Sequence, residues 1–172
     1  PKKKPVTYKA TPDTSETSKV LSKKDFKKAK EVFNLISQKK WLTAIKASNK
    51  VSDKNFRNLV TWMYLKQRGN KASFDDYTSF INKNSEYPRI NRLKYLAEHK
   101  IILKNTSANT VINWFSENEP LSGTGKLKLA EALISKGKKN EASVLIREGW
   151  INAKLSKSDL RYYRKKFKSF LT

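Results

Sequence analysis

The chain has 172 residues, no cysteine and a formal net charge of +23. Its length supports one domain, or one domain with a tail, and the missing cysteine excludes disulfides, Cys-type zinc sites and thiol catalysis. Hydrophobic residues make up 37% and charged residues 31%, so the apolar side chains must be used along narrow stripes. Of the 38 basic residues only seven are arginine, leaving 31 lysines. Base reading and phosphate clamping draw on the bidentate arginine fork. A lysine-dominated surface instead fits nonspecific attraction to anions, or simply a solvated face.

Residues 1–21 read as a disordered basic tail or linker. Pro1, Pro5 and Pro12 break helices, and too few bulky apolar residues are present to offset the entropy of ordering. Pro1 cannot be an initiator, so a processed or trimmed N-terminus is expected. No apolar run reaches the roughly 20 residues of a membrane span.

Residues 22–172 read as a helical domain, expected to be part of a longer one. Ser22 to Asp25 has the spacing of a capping box. Phe26, Ala29, Val32, Phe33 and Ile36 then form one helical face. A short helix carrying Trp41, Ala44 and Ile45 follows. A third, from near Asp53, carries Phe56, Leu59, Val60 and Met63 and is expected to end at Gly69-Asn70. Ser73 to Asp76 is a second capping box. Tyr87-Pro88 breaks the chain, with Pro88 pre-setting the first turn of a helix lined by Ile90, Leu93, Leu96, Ala97 and Ile101. The next begins near Ser107 and holds Val111, Ile112, Trp114 and Phe115. Ser122 caps a helix running to Gly137. Glu141 to Trp150 returns, and Ser156 to Asp159 caps the last helix.

This predicts about nine helices and an all-α fold. Spacings between helix starts vary, which argues against a strict tetratricopeptide array. Irregular antiparallel helical pairs stacked as a curved α-solenoid, or superhelix, are expected, with a concave surface. The aromatic stripe of Phe167, Phe170 and Leu171 suggests an absent neighbour.

A search for chemistry returns little. His99 is the sole histidine and lacks a second ligand for a metal. It reads as a surface side chain. Asp75-Asp76 is the only adjacent acidic pair, and its place in a first helical turn explains it through the helix dipole. Glu98 lies in an apolar helix. A buried carboxylate there would be a catalytic candidate, whereas a salt bridge to a nearby Lys or Arg is the simpler reading. Gly123-Thr124-Gly125-Lys126 lacks P-loop spacing, and a tight turn with glycine at positive φ explains it. Trp41, Trp62, Trp114 and Trp150 could stack on sugars or bases, but three of them sit at core spacing. Arg161 to Phe167 interleaves basic and aromatic residues, which suits nucleic acid or an amphipathic helix equally.

The order and spacing of several residues carry a resemblance. They are Trp41, Ala44, Asp53, Trp62, Ser73-Phe74, Phe80-Ile81, Tyr87-Pro88, Leu93 and Ala97-Glu98. Further on come Trp114-Phe115, Pro120 to Gly123, Gly125, Leu129-Ala130, Ala132-Leu133, Gly137, Ala142, Leu145 to Arg147 and Trp150. From about Phe26 to Leu171 the chain resembles the N-terminal superhelical region of soluble lytic transglycosylases of the alphaproteobacterial type. Tyr87 stands where that family usually has tryptophan.

The resemblance implies a periplasmic protein, exported with a signal peptide absent from this chain, and peptidoglycan glycan strands as partner. It implies that the parent enzyme cleaves the MurNAc–GlcNAc bond to a 1,6-anhydro product. The catalytic glutamate of the family stands in a lysozyme-like domain whose motifs do not occur here. No catalytic, metal or cofactor-binding position is therefore assigned, no substrate-binding residue is named, and no cofactor is implied. The alternative is a basic helical-repeat module binding nucleic acid or a protein partner, with nucleic acid the less favoured.

Overall fold

The computed structural model describes residues 17–171. Among them the fold is all-α. Nine α-helices and a terminal 3-10 turn, Lys168–Phe170, occur with no strand. Most of the tail expected over 1–21 lies outside the described residues, and residues 17–21 carry no helix. The chain divides after Thr61 into two compact units.

The first unit holds α1 (Lys23–Ser37), α2 (Trp41–Ser48) and most of α3 (Lys54–Leu65). Ser22 caps α1 by accepting from the Asp25 N–H at 3.1 Å. Asp25 then reaches beyond its own helix and accepts from the Ser52 N–H at 3.0 Å. That bond, helped by Lys28, holds its carboxyl below the usual range. Asp53 caps α3 through the Phe56 N–H at 2.6 Å. Ala29, Val32, Ala44, Val51, Phe56 and Val60 form the core. Phe33 meets Phe56 edge-on at 5.6 Å and remains partly exposed.

The second unit contains α4 (Phe74–Lys83), α5 (Ile90–Glu98), α6 (Ala108–Glu117), α7 (Gly123–Ser135), α8 (Lys139–Asn152) and α9 (Lys157–Lys166). The Ser73–Asp76 capping box forms in both directions. Ser107, Ser122 and Ser156 each cap the helix that follows through the backbone N–H three residues on. α3 stops at Leu65, before Gly69-Asn70. The buried Tyr77 hydroxyl donates to Leu65 O at 2.6 Å, and Asn70 Nδ2 donates to the same carbonyl at 3.0 Å. These side chains satisfy a carbonyl that a longer helix would have used. Pro88 stands ahead of α5 rather than in its first turn. Arg89, in the left-handed region at φ 58°, is the N-cap.

Two apolar clusters organise this unit. One gathers Phe74, Tyr77, Phe80, Leu93, Val111, Trp114 and Phe115 between α4, α5 and α6. The other gathers Leu127, Ala130, Leu133, Ala142, Ile146, Tyr163 and Phe167 around α7, α8 and α9. Phe167, expected as part of an unpartnered stripe, is fully buried and stacked on Tyr163 at 5.2 Å. Leu171 remains partly exposed.

Candidate functional site

A buried polar arrangement in the second unit centres on Glu98. It is 1% exposed, at the end of α5. Its Oε1 accepts from the Leu121 N–H at 2.5 Å, and its Oε2 accepts from the Ser122 hydroxyl. Ser122 Oγ in turn accepts from the Gly125 N–H at 2.9 Å, capping α7. Burial pushes the Glu98 carboxyl above its ordinary range, against the lowering effect of these bonds.

The salt bridge expected for Glu98 is not what forms. Its partners are a backbone amide and a hydroxyl, since the α6–α7 turn brings those groups to the end of α5. Glu98 lines neither of the two pockets described below. The carboxylate holds a junction together, bonded to the α6–α7 turn.

The glycines of this junction work through close approach. Gly123 and Gly125 lie inside α7, and positive φ occurs instead at Gly69 and Gly137. The expectation of positive φ in the Gly123–Gly125 turn is therefore corrected. A Cβ at Gly125 would stand 2.5 Å from Glu98 Oε2. A Cβ at Gly123 would strike the Ala153 backbone, and one at Gly149 would stand 2.9 Å from Gly123 O. The pattern Gly123, Gly125 and Gly149 thus sets how near α7 lies to α8 and to the α5 carboxylate.

Two concave pockets flank this scaffold. One, of about 390 Å³, opens beside the start of α7, with Tyr95, His99, Leu121, Thr124, Lys126 and Lys154 among its walls. Lys126 there pairs with Glu148. The other, of about 610 Å³, lies between α7, α9 and the α5–α6 connection. Its walls carry Lys104, Lys128 and Lys166, with Glu131 as the acid. Glu131 is 7% exposed. It accepts from the Tyr162 hydroxyl and pairs with Lys166 at 3.5 Å. Burial, with Glu131 alongside, pushes the Tyr162 hydroxyl up to about 12. The sequence pattern does not reveal this pocket, because its walls come from three separated segments.

The other sequence candidates are placed as follows. Asp75 and Asp76 are exposed in the first turn of α4. His99 is exposed at the end of α5, its Nδ1–H donating to Tyr95 O at 2.8 Å. Trp114 is buried, and Trp62 and Trp150 pack partly buried against the two clusters. Trp62 Nε1 donates to Pro88 O at 2.9 Å, and Lys66 lies over its ring at 3.3 Å. Trp41 is half-buried on α2. Along α9, Tyr163 faces inward while Arg161, Arg164 and Lys165 are exposed, as an amphipathic helix requires.

Among the described residues, no group of His, Asp and Glu side chains gathers as metal ligands would. No helix among them is long and apolar enough to cross a membrane. Comparison of the chain with protein-family models, with curated proteins and with solved structures returns no match.

Proposed function

We propose that this chain is a helical scaffold segment of a periplasmic peptidoglycan lytic transglycosylase. In this reading the helical pairs belong to a curved α-solenoid, and cleavage of the MurNAc–GlcNAc bond is carried by a lysozyme-like domain elsewhere in the protein. The scaffold holds glycan strands near that domain.

One observation carries the reading. Many of the residues on which the family resemblance rests pack between helices, while Ser73, Pro88, Leu121, Gly137 and Arg147 are exposed. Leu93, Ala97, Glu98, Trp114 and Phe115 are buried. So are Gly123, Gly125, Ala130, Ala132 and Leu133 of α7, and Ala142 and Ile146 of α8. Ser122 caps α7 and bonds Glu98. Much of the likeness therefore falls on packing positions, which is where a shared scaffold would leave it.

The charge supports the same reading. At +23 the chain attracts polyanions over a Debye length of about 10 Å at moderate salt. Peptide stems of peptidoglycan carry carboxylates. The test is retention on purified sacculi across a salt series, with duplex and single-stranded nucleic acid as parallel ligands. Retention at low salt, falling as salt rises, is expected. No retention at low salt overturns the reading. Nucleic-acid binding with a steep salt slope and no sacculus retention would favour the basic nucleic-acid module instead.

A further inference from the structure

We propose that the pocket between α7, α9 and the α5–α6 connection is a binding site for a short peptide bearing free carboxylates. The inference rests on the peptidoglycan reading for the source of such a peptide, and on the pocket itself for the chemistry. At about 610 Å³ it lies inside the roughly 300–1,000 Å³ range of small-molecule sites.

Its walls are built by helical register. Lys128 and Glu131 lie three residues apart on one face of α7. Tyr162 and Lys166 lie four apart on α9. The α5–α6 connection adds Lys104 beside Ile102 and Leu103.

Charge decides the ligand class. The pocket holds three lysines and one glutamate, so its formal balance is 3 − 1 = +2. Glu131 is already committed to Tyr162 and Lys166. Among the described residues no carboxylate pairs with Lys104 or Lys128. Lys128 Nζ lies over the Tyr163 ring at 5.6 Å, a contact that leaves its formal charge in place, so two lysines line the space with no carboxylate to neutralise them.

Apolar side chains share these walls with the lysines. Ile102 is 54% exposed and Tyr162 47%. A ligand matching this mixture has carboxylates joined to small apolar groups. A short alanine-containing acidic peptide has that character. Lysine suits it as a point charge, and the walls hold no arginine fork of the kind that planar phosphate recognition favours.

The test uses acetyl-Ala-Glu-Lys-Ala with free carboxylates, and the same peptide with both carboxylates amidated. Binding to the 172-residue chain is followed by backbone amide NMR. The free acid is expected to shift the amides of Ile102, Leu103 and Lys104, of Lys128 and Glu131, and of Tyr162. The doubly substituted variant Lys104→Gln/Lys128→Gln and the amidated peptide should each bind about ten-fold more weakly. Lys104 is exposed and Lys128 meets the core only over the Tyr163 ring, at 5.6 Å, so an unchanged spectrum outside the pocket and around Tyr163 verifies the fold of the variant. Equal binding of the amidated peptide, equal binding by the variant, no binding of the free acid, or shifts confined to other surfaces would each overturn the proposal. Sacculus retention with no peptide binding removes the pocket proposal and leaves the scaffold reading. Peptide binding with no sacculus retention does the reverse.

Discussion

Glu98, the last residue of α5, accepts a hydrogen bond from Ser122, the N-cap of α7, across 24 positions of chain. A second bond, from the Leu121 N–H, uses the other carboxylate oxygen. One side chain therefore fixes where the α6–α7 turn lies against α5. Glu98→Ala should remove both acceptors and strand the Leu121 amide, costing about 2–3 kcal/mol. Glu98→Gln retains an acceptor for Leu121 and a donor that Ser122 Oγ can accept, and should cost less than about 1 kcal/mol. Urea unfolding of the three proteins at one pH measures both differences. Equal losses in Ala and Gln would show that charge, and not hydrogen-bond placement, matters at this position.

The same carboxyl predicts a pH dependence. Burial raises it in the folded chain, so above the ordinary carboxylate range the folded state holds more proton than the unfolded. Its contribution to stability is complete below that range and is lost as pH rises through the folded value. The stability difference between wild type and Glu98→Gln should therefore shift against the wild type as pH rises from the usual carboxylate range toward neutrality. Unfolding curves at matched ionic strength follow it. A difference that is flat with pH would mean that Glu98 ionises as freely folded as unfolded.

Gly125 and Gly149 make a steric prediction. Any Cβ at Gly125 meets the Glu98 carboxyl, and any Cβ at Gly149 meets Gly123 O and Leu127. Gly125→Ala and Gly149→Ala should each destabilise by about 1–3 kcal/mol as overpacking, despite alanine's better helix propensity. In Gly125→Ala/Glu98→Ala the steric part of the loss should shrink, since the group struck has gone. A double-mutant cycle in urea reads that coupling. Strict additivity would place the clash elsewhere.

Tyr163 carries the opposite sign. It is 1% exposed, and its hydroxyl has no hydrogen-bond partner among the described residues. Burial pushes that hydroxyl far above its ordinary range. Tyr163→Phe retains the ring stacked on Phe167 and removes an unsatisfied polar atom. It should raise stability by about 1 kcal/mol, seen as a higher thermal midpoint. A loss of stability would reveal a hydrogen bond made by that hydroxyl in solution.

The parts of this protein legible in sequence are those with local causes. Ser22, Ser73, Ser107, Ser122 and Ser156 cap their helices through backbone amides three residues away, and such bonds depend on nothing farther along the chain. The inward face of α9 is likewise set by helical period, with Tyr163 buried and Arg161, Arg164 and Lys165 exposed, whereas the partner that buries Phe167 is not legible locally. The relationships that the local pattern does not show have long-range causes. Glu98 reads as a partner for a nearby Lys or Arg, because nothing near it in sequence signals Leu121 and Ser122. Gly123 and Gly125 read as a positive-φ turn, because their neighbours in α5 and after α8 are invisible from the local pattern.

Composition, capping and apolar period together determined an all-α chain with a strongly cationic surface, since each acts within a few residues. Tertiary structure alone decided that Glu98 is a buried acceptor, that Gly149 faces Gly123, and that Lys104, Lys128 and Lys166 surround one pocket with Glu131. The reason is geometric: those relationships join residues from separate helices, and only the packed core brings such residues within a few ångströms of each other.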